Sequence, residues 1–145
     1  MSTDDPKPRV LFVCTHNSAR SQMAEALLRA RCGDRLEALS AGTEPRGVHP
    51  RAVRAMAEVG IDLRGARSKG VAEALAGGDA DIVVTVCDRA RETCPWVPAR
   101  LETLHRSFED PSAAPESEQE QAFRRVRDEI TEWIDQVAPA WARQG

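Results

Sequence analysis

Short apolar segments alternate along the chain with longer segments in which apolar residues recur at helical spacing. Four segments have the pattern of strands: residues 10–13, 36–40, 82–86 and, more weakly, 101–104. The first and third are continuously apolar, which is typical of strands buried on both faces of a sheet. The second ends at Ala41-Gly42, where the small residues predict a turn.

Helical spacing predicts four helices, at residues 21–30, 50–59, 71–76 and 120–141, with a loop rich in Pro, Ser and Glu at 110–118. Ser21 suits the N-terminal end of the first helix, and Pro50 suits the first turn of the second. The predicted buried faces comprise Met23, Ala26, Leu27 and Ala30; Val53, Met56 and Ala57; and Phe123, Val126, Ile130, Trp133, Ile134 and Val137.

The order of these elements predicts the fold. Strands that alternate with helices imply a parallel sheet covered on both faces, with right-handed crossovers. We therefore expect one three-layer α/β domain with a four-stranded parallel sheet over residues 9–145, after a flexible N-terminus at 1–8. Cys14 and Cys87 each directly follow a predicted strand. They should meet at the carboxyl edge of the sheet, where ligands bind in such folds.

Composition limits the classes of protein to consider. The 145 residues are 41% hydrophobic and 30% charged, as in a soluble domain with one core. The net charge of −3 gives no sign of a nucleic-acid surface. No apolar segment approaches the ~18 residues of a membrane span, and the polar N-terminus lacks a secretory signal. We therefore expect a cytoplasmic protein, and nothing in the sequence requires more than a monomer.

The cysteines carry the candidate chemistry. Four are present, at positions 14, 32, 87 and 94, and in a secreted protein they could form two structural disulfides. In a cytoplasm that keeps thiols reduced, catalytic or redox use is the better interpretation.

The segment from Cys14 to Ser21 links a buried strand to an amphipathic helix. A loop in this position can turn its backbone N–H groups toward a tetrahedral oxyanion, at a helix N-terminus that favours negative charge. Arg20 would supply a planar fork for two oxygens, and the positive surroundings would favour a nucleophilic thiolate at Cys14. Alternatively, Cys14 is a small buried residue and Arg20 a surface charge.

These residues resemble a known active site. The run Cys14-Thr15-His16-Asn17-Ser18-Ala19-Arg20-Ser21 is similar to the active-site loop of the low-molecular-weight tyrosine phosphatase fold, and more narrowly to that of the arsenate reductases built on it. Further similar segments are Ser40-Ala41-Gly42-Thr43, Val84-Thr85-Val86-Cys87, Cys94-Pro95 and Phe108-Glu109-Asp110-Pro111. The resemblance therefore covers nearly the whole chain.

The resemblance implies a role for each matching residue. Cys14 would be the nucleophile, Arg20 the oxyanion clamp and Ser21 a hydroxyl donor to the thiolate, while the loop residues Thr15, His16, Asn17, Ser18 and Ala19 bind the substrate. Asp110 would be the general acid, although Asp-Pro is also a common turn former. We interpret His16 as a residue at the rim of the site.

Two further cysteines separate a reductase from a phosphatase. In the related reductases, residues matching Cys87 and Cys94 form a thiol relay, in which a Cys14–Cys87 disulfide passes to Cys87–Cys94 and is reduced by thioredoxin. Alternatively, Cys87 and Cys94 are two unrelated thiols without a shared function. Cys32 lies away from these motifs, and we interpret it as structural or incidental. Ser112-Ala113 follows Asp110-Pro111 where the tyrosine phosphatases carry aromatics, and the chain has no tyrosine.

We therefore expect arsenate reduction, with phosphate and sulfate as competing oxyanions and without a cofactor. A phosphatase acting through cysteinyl-phosphate and an oxyanion-binding or redox-regulatory module without turnover are the alternatives. Some related reductases hold a potassium ion at residues matching Asn17, Glu25 and Ser40. Arg67 and Lys69 stand where those relatives have small polar and acidic groups. A cationic side chain near Glu25 would repel the ion. If both side chains instead point into water, the site still lacks ligands, so in either case we expect no metal site.

Overall fold

The computed structural model describes residues 7–86 and 97–143, and its centre is a parallel β-sheet. The strands in this part of the chain are β1 (Arg9–Cys14), β2 (Glu37–Gly42), β3 (Ala80–Thr85) and β4 (Ala99–His105). They lie in the order β2-β1-β3-β4, and every pairing is parallel. The expected α/β class with a four-stranded parallel sheet is confirmed.

Helices follow the strands as predicted. They are α1 (Arg20–Cys32), α2 (Pro50–Ala57), the short α3 (Val71–Ala74) and α4 (Gln119–Ala142). Two 3₁₀ turns, Pro111–Ala113 and Glu116–Glu118, lie within the predicted loop before α4. In the described part of the chain, no helix is both long enough and apolar enough to cross a membrane.

The strand order determines where a ligand can bind. After β1 the chain moves to β2 on one side, and then returns across β1 to β3 on the other. In open parallel sheets a crevice forms at the carboxyl ends of the strands where the order reverses in this way. Cys14, the last residue of β1, lies at that crevice.

The core forms where the apolar strands meet α1, α2 and α4. Residues Val10 to Val13 of β1 are completely buried, as their continuous apolar pattern predicts. From the predicted face of α4, Phe123, Val126, Ile130 and Ile134 are buried, while Trp133 and Val137 are partly exposed. Phe12, Trp141, Trp133 and Phe108 form a series of tilted or edge-on ring contacts, with centroids 5.6–6.3 Å apart.

Two local predictions are wrong. Ala41 and Gly42 do not form a turn but end β2, because Gly42 pairs with Cys14 of β1 and bridges to Gly70. Ala30 and Ala57, each in the last turn of its helix, are exposed rather than buried. Ser21 lies at the N-terminal end of α1 as predicted, although the helix begins one residue earlier.

A buried arginine joins α4 to the end of α2. Arg127 donates from Nη1 to the Ala55 carbonyl at 2.9 Å and to Glu58 Oε1 at 2.8 Å, and Arg124 donates to both oxygens of Glu58. Hydrogen bonds from Arg124 and Arg127 lower the pKa of Glu58 to about 2. Glu58 therefore stabilises the packing of α4 on α2 only in its ionised form.

We expect Glu58→Gln to lower the free energy of unfolding near neutral pH more than Glu132→Gln, a matched change at an exposed position of α4. Because the pKa of Glu58 is lower in the folded chain, its contribution is complete above the ordinary value of 4.5. It is lost progressively as the pH falls toward about 2. Urea unfolding followed by tryptophan fluorescence should show the gap between the wild-type protein and Glu58→Gln narrowing below pH ~4.5. A gap that is constant with pH would contradict this account.

Candidate active site

The loop between β1 and α1 turns its peptide carbonyls outward. The segment 43–49, which we call the backing segment, donates to four of them: Thr43 N to Cys14 O, Glu44 N to Thr15 O, Arg46 N to His16 O and His49 N to Ser18 O, at 2.7–3.2 Å. The fifth carbonyl, that of Asn17, accepts from Ser68 Oγ at 2.6 Å.

This pattern decides what the loop can bind. In a trans peptide the C=O and the following N–H point in opposite directions, so outward carbonyls turn the amides inward. The Asn17 N–H illustrates this, since it donates to Cys14 Sγ at 3.3 Å. A ring of inward amides at the N-terminus of α1 is a site for a tetrahedral anion.

Cys14 lies at the centre of this loop. Its side chain is buried, with the residue only 3% exposed, and its Sγ is 2.8 Å from Ser21 Oγ. Together with the Asn17 N–H, the Ser21 hydroxyl can donate to a thiolate at Cys14. The role predicted for Ser21 from its place in the motif therefore agrees with its position.

The side chain of Asn17 holds the loop in shape. Asn17 is the only non-glycine residue with a positive φ, 49°, in the ranges 7–86 and 97–143. Its Nδ2 donates to Ser21 Oγ at 2.7 Å and to Ser40 Oγ at 3.0 Å. Its Oδ1 accepts from Gln22 Nε2 and from the Lys69 N–H, both at 3.0 Å. The left-handed conformation is thus fixed by four hydrogen bonds in the interior.

Arg20 joins the loop to the segment that carries Asp110. Its Nη1 donates to the Phe108 carbonyl at 3.1 Å, and its Nη2 lies 3.8 Å from Asp110 Oδ2. Asp110 Oδ1 accepts from the Ser112 N–H and hydroxyl, so this residue also caps the turn that follows. The structure therefore brings Cys14, Arg20 and Asp110 to one edge of the sheet. The two interpretations of Asp110, turn former and acid, are compatible.

The remaining predicted residues lie around or outside this site. His16 is partly exposed at the edge of the loop, with its Nε2 4.0 Å from Glu44 Oε2. Cys32 is a free thiol buried at the end of α1. Cys87 and Cys94 lie outside the described residues.

Sequence reasoning missed the residues that support the loop from behind. Ser68 and the backing segment carry no recognisable catalytic pattern, because most of their bonds use backbone atoms. His49 both donates its N–H to Ser18 and caps α2, where its Nδ1 accepts from the Arg51 N–H. Burial and the neighbouring Arg51 lower the pKa of His49, although Asp110 acts in the opposite sense. The sequence contains one signal of such support: Gln22, a polar residue, lies on the buried face of α1.

Comparison with known proteins agrees with this geometry. Residues 9–144 match the low molecular weight phosphotyrosine protein phosphatase family. The chain belongs to this family.

Its relatives include reductases as well as phosphatases. An arsenate reductase of Halalkalibacterium halodurans is 43% identical over 134 residues, which are 91% of this chain and 96% of the relative. A solved arsenate reductase in its phosphate-binding state superimposes with a TM-score of 0.75, at 33% identity, over 90% of this chain and 95% of its own. The thioredoxin-dependent arsenate reductase of Corynebacterium glutamicum superimposes with a TM-score of 0.68 at 27% identity, covering 95% of this chain and 65% of its own.

The residues that match the potassium ligands of some family members lie together but are paired to one another. Ser40 Oγ donates to Glu25 Oε1 at 2.6 Å and accepts from Asn17 Nδ2 at 3.0 Å. The Asn17 amide thus turns its nitrogen toward Ser40, while its oxygen accepts from the Lys69 N–H. An amide nitrogen is a donor and does not ligate a cation.

Positive charge is already present at Glu25. Arg29 Nη2 lies 2.7 Å from Glu25 Oε2, and Lys69 Nζ lies 4.0 Å from Oε1, although the Glu25 side chain is only 12% exposed. Of the two cationic residues considered for this position, Lys69 lies near Glu25 and Arg67 does not. Arg67 is largely exposed and pairs with Glu73. These residues do not fit a potassium ion.

We expect phosphate to bind with the same affinity in potassium chloride and sodium chloride at matched ionic strength. Lys69 and Arg29 supply the charge that an ion would bring, so only general screening should change the affinity. Isothermal titration with inorganic phosphate, without sulfate, measures this. A several-fold advantage for potassium would show that a cation site survives beside Lys69.

Gly42 packs closely against the backbone of the β1–α1 loop. A Cβ at this position would lie 2.8 Å from both the Asn17 nitrogen and the Thr15 carbonyl oxygen, which are backbone atoms of the loop. We expect Gly42→Ala to weaken phosphate binding by tenfold or more, because overpacking of about 1–3 kcal/mol falls on the anion-binding peptides. Gly70→Ala is the matched control, since Gly70 bridges to Gly42 but has open space around its Cβ position. Equal phosphate affinity in both variants would contradict the prediction.

Proposed function

We propose that this chain is a thioredoxin-coupled arsenate reductase. The observation that carries the proposal is the position of Cys14 Sγ, which is buried 2.8 Å from the Ser21 hydroxyl oxygen and accepts from the Asn17 N–H at 3.3 Å. This arrangement suits a thiolate that attacks a bound tetrahedral oxyanion. Arsenate is favoured among such anions because relatives that match nearly the whole chain are arsenate reductases.

In the first step the Cys14 thiolate attacks arsenic(V) held by the loop amides and by Arg20. An As–S bond forms and an As–O bond breaks. The departing oxygen takes a proton from Asp110 and leaves as water. Arg20 and Asp110 are close enough to act on the same bound anion, since the guanidinium lies 3.8 Å from the carboxylate.

In the second step the Cys87 thiolate attacks Cys14 Sγ. The electron pair of the As–S bond passes to arsenic, which leaves as arsenite, and a Cys14–Cys87 disulfide forms. Cys94 then attacks Cys87, which frees the Cys14 thiolate and leaves a Cys87–Cys94 disulfide for thioredoxin to reduce. The two electrons gained by arsenic are those lost when two thiols become one disulfide.

One contact between the ends of β1 and β3 supports this relay. Val86 donates its N–H to the Val13 carbonyl at 2.9 Å, and these two residues immediately precede Cys87 and Cys14 in the sequence. A cytoplasmic location, where thiols are kept reduced, suits such a relay.

A phosphatase of the same family would share only the first step. An aryl phosphate would need an apolar platform at the rim, yet Ser112 and Ala113 follow Asp110-Pro111, and the chain has no tyrosine. At the edge of the loop, His16 Nε2 lies 4.0 Å from Glu44 Oε2, so a polar pair stands there. We therefore favour the reductase.

We expect arsenate to drive oxidation of NADPH when the protein is supplied with thioredoxin and thioredoxin reductase. Cys14→Ser should abolish this turnover without unfolding the chain, because the covalent step needs the thiolate. Cys94→Ser should form about one arsenite per molecule and retain a Cys14–Cys87 disulfide, whereas Cys87→Ser should form none. Peptide mapping by mass spectrometry after one addition of arsenate identifies the disulfide.

Cys32→Ser is the control and should turn over like the wild-type protein. A predominant disulfide that includes Cys32 would overturn the relay. Hydrolysis of a phosphomonoester without any arsenate-dependent NADPH oxidation would favour the phosphatase. Arsenate binding with neither activity would indicate an oxyanion-binding module.

A further inference from the structure

The side chain of Gln119 is bound to the segment that follows Asp110. Gln119 is the first residue of α4, and its Nε2 donates to the carbonyls of Ser112 and Ala114 at 3.2 and 3.1 Å. The turn Pro111–Ala113 is thereby tied to the helix on its C-terminal side. On its N-terminal side the same turn is capped by Asp110 itself.

The oxygen of the Gln119 amide is bound by Arg51, which lies next to the backing segment of the β1–α1 loop. Its Oε1 accepts from Arg51 Nη1 at 2.9 Å, and the Arg51 side chain is only 23% exposed. The Arg51 N–H is bound in turn by His49, the last residue of the backing segment. One amide thus connects the segment behind the oxyanion loop to the segment that carries the acid.

These contacts bear on where the Asp110 carboxyl group lies. Its Oδ1 accepts from the N–H and the hydroxyl of Ser112, and the carbonyl of Ser112 is one of the two groups that Gln119 binds. The Asp110 side chain is 43% exposed, and its other oxygen, Oδ2, lies 3.8 Å from Arg20 Nη2. The amide of Gln119 is therefore one of the restraints on Ser112, the residue that orients the acid.

Support of the helix start does not explain these bonds. A side chain that caps a helix accepts hydrogen bonds from the first N–H groups of that helix. Gln119 instead donates to carbonyls of the preceding turn, and no side chain caps α4. Its hydrogen bonds order the turn rather than the helix.

We propose that Gln119 is a positioning residue for Asp110 in the transfer of a proton to the departing oxygen of arsenate. The inference rests on the proposed function. It predicts that loss of the Gln119 donors slows the chemical step and leaves binding of the oxyanion unchanged, because the amides of the loop and Arg20 are not altered.

The test is single-turnover formation of arsenite by the reduced full chain without thioredoxin, over a range of arsenate concentrations. Gln119→Leu removes the hydrogen bonds at similar size. Gln119→Glu keeps an acceptor for Arg51 but replaces the donors to the two carbonyls by a carboxylate. Both variants should lower the maximal rate about tenfold, since a small misplacement of a reacting group has effects of this order. The half-saturating arsenate concentration should change less than about twofold.

Two controls make the result specific. Gln121→Leu, at an exposed position two residues further along α4, should behave as the wild-type protein. Asp110→Ala should slow the step by ~100-fold or more, and addition of Gln119→Leu to it should cause no further loss. Thermal unfolding of each variant establishes that it is folded, and Gln119→Glu serves if Gln119→Leu is not.

The failures are distinguishable. If Asp110→Ala slows the step but both Gln119 variants react at the wild-type rate, the inference is wrong and the proposed function stands. If Gln119→Leu costs the same factor with and without Asp110, Gln119 acts elsewhere and the inference is overturned. If Asp110→Ala reacts normally, the acid role itself fails, and the positioning role fails with it. A wild-type protein that forms no arsenite would refute the proposed function.

Discussion

The active site depends on the hydrogen bonds that hold the peptide carbonyls of the β1–α1 loop outward. Four come from the N–H groups of residues 43–49, and one from the Ser68 hydroxyl. Each contributes only about 0.5–1.5 kcal/mol to stability. Their main effect is geometric, because they leave the amide N–H groups directed at one point, next to Cys14. An anion then meets dipoles that need no reorganisation, which is the condition under which such groups contribute most to catalysis.

This arrangement constrains the sequence far from the nucleophile. The backing segment can reach the loop only because β2 continues to Gly42, where a side chain would collide with the loop backbone. The loop also requires a left-handed residue, which costs roughly 1–2 kcal/mol for a residue with a Cβ. Asparagine tolerates that conformation better than most residues, and here four hydrogen bonds of its side chain offset the cost.

The sequence predicts the parts of this structure that leave a pattern in residue types. Continuous apolar runs predicted β1 and β3. The residues from Cys14 to Ser21 predicted an oxyanion-binding loop with a nucleophilic cysteine. Sequence did not reveal the continuation of β2 through Gly42, because local turn propensity at Ala41-Gly42 was overridden by pairing with Cys14. Nor could it reveal the backing segment, whose backbone donors any residue type except proline would supply.

The same distinction explains why the charge at Glu25 needed the structure. Arg67 and Lys69 are equally cationic in sequence and lie two positions apart. Lys69 is held against β2, since its carbonyl accepts from the Gly42 N–H and its own N–H donates to Asn17. Its side chain therefore reaches Glu25, whereas Arg67 extends to Glu73 on the outside. From Glu25 a continuous series of hydrogen bonds runs through Ser40, Asn17 and Ser21 to Cys14. Lys69 therefore places a positive charge at the far end of this series. The electrostatic surroundings of Cys14 are then set by a side chain of the protein, and we expect them not to depend on which cation is in solution.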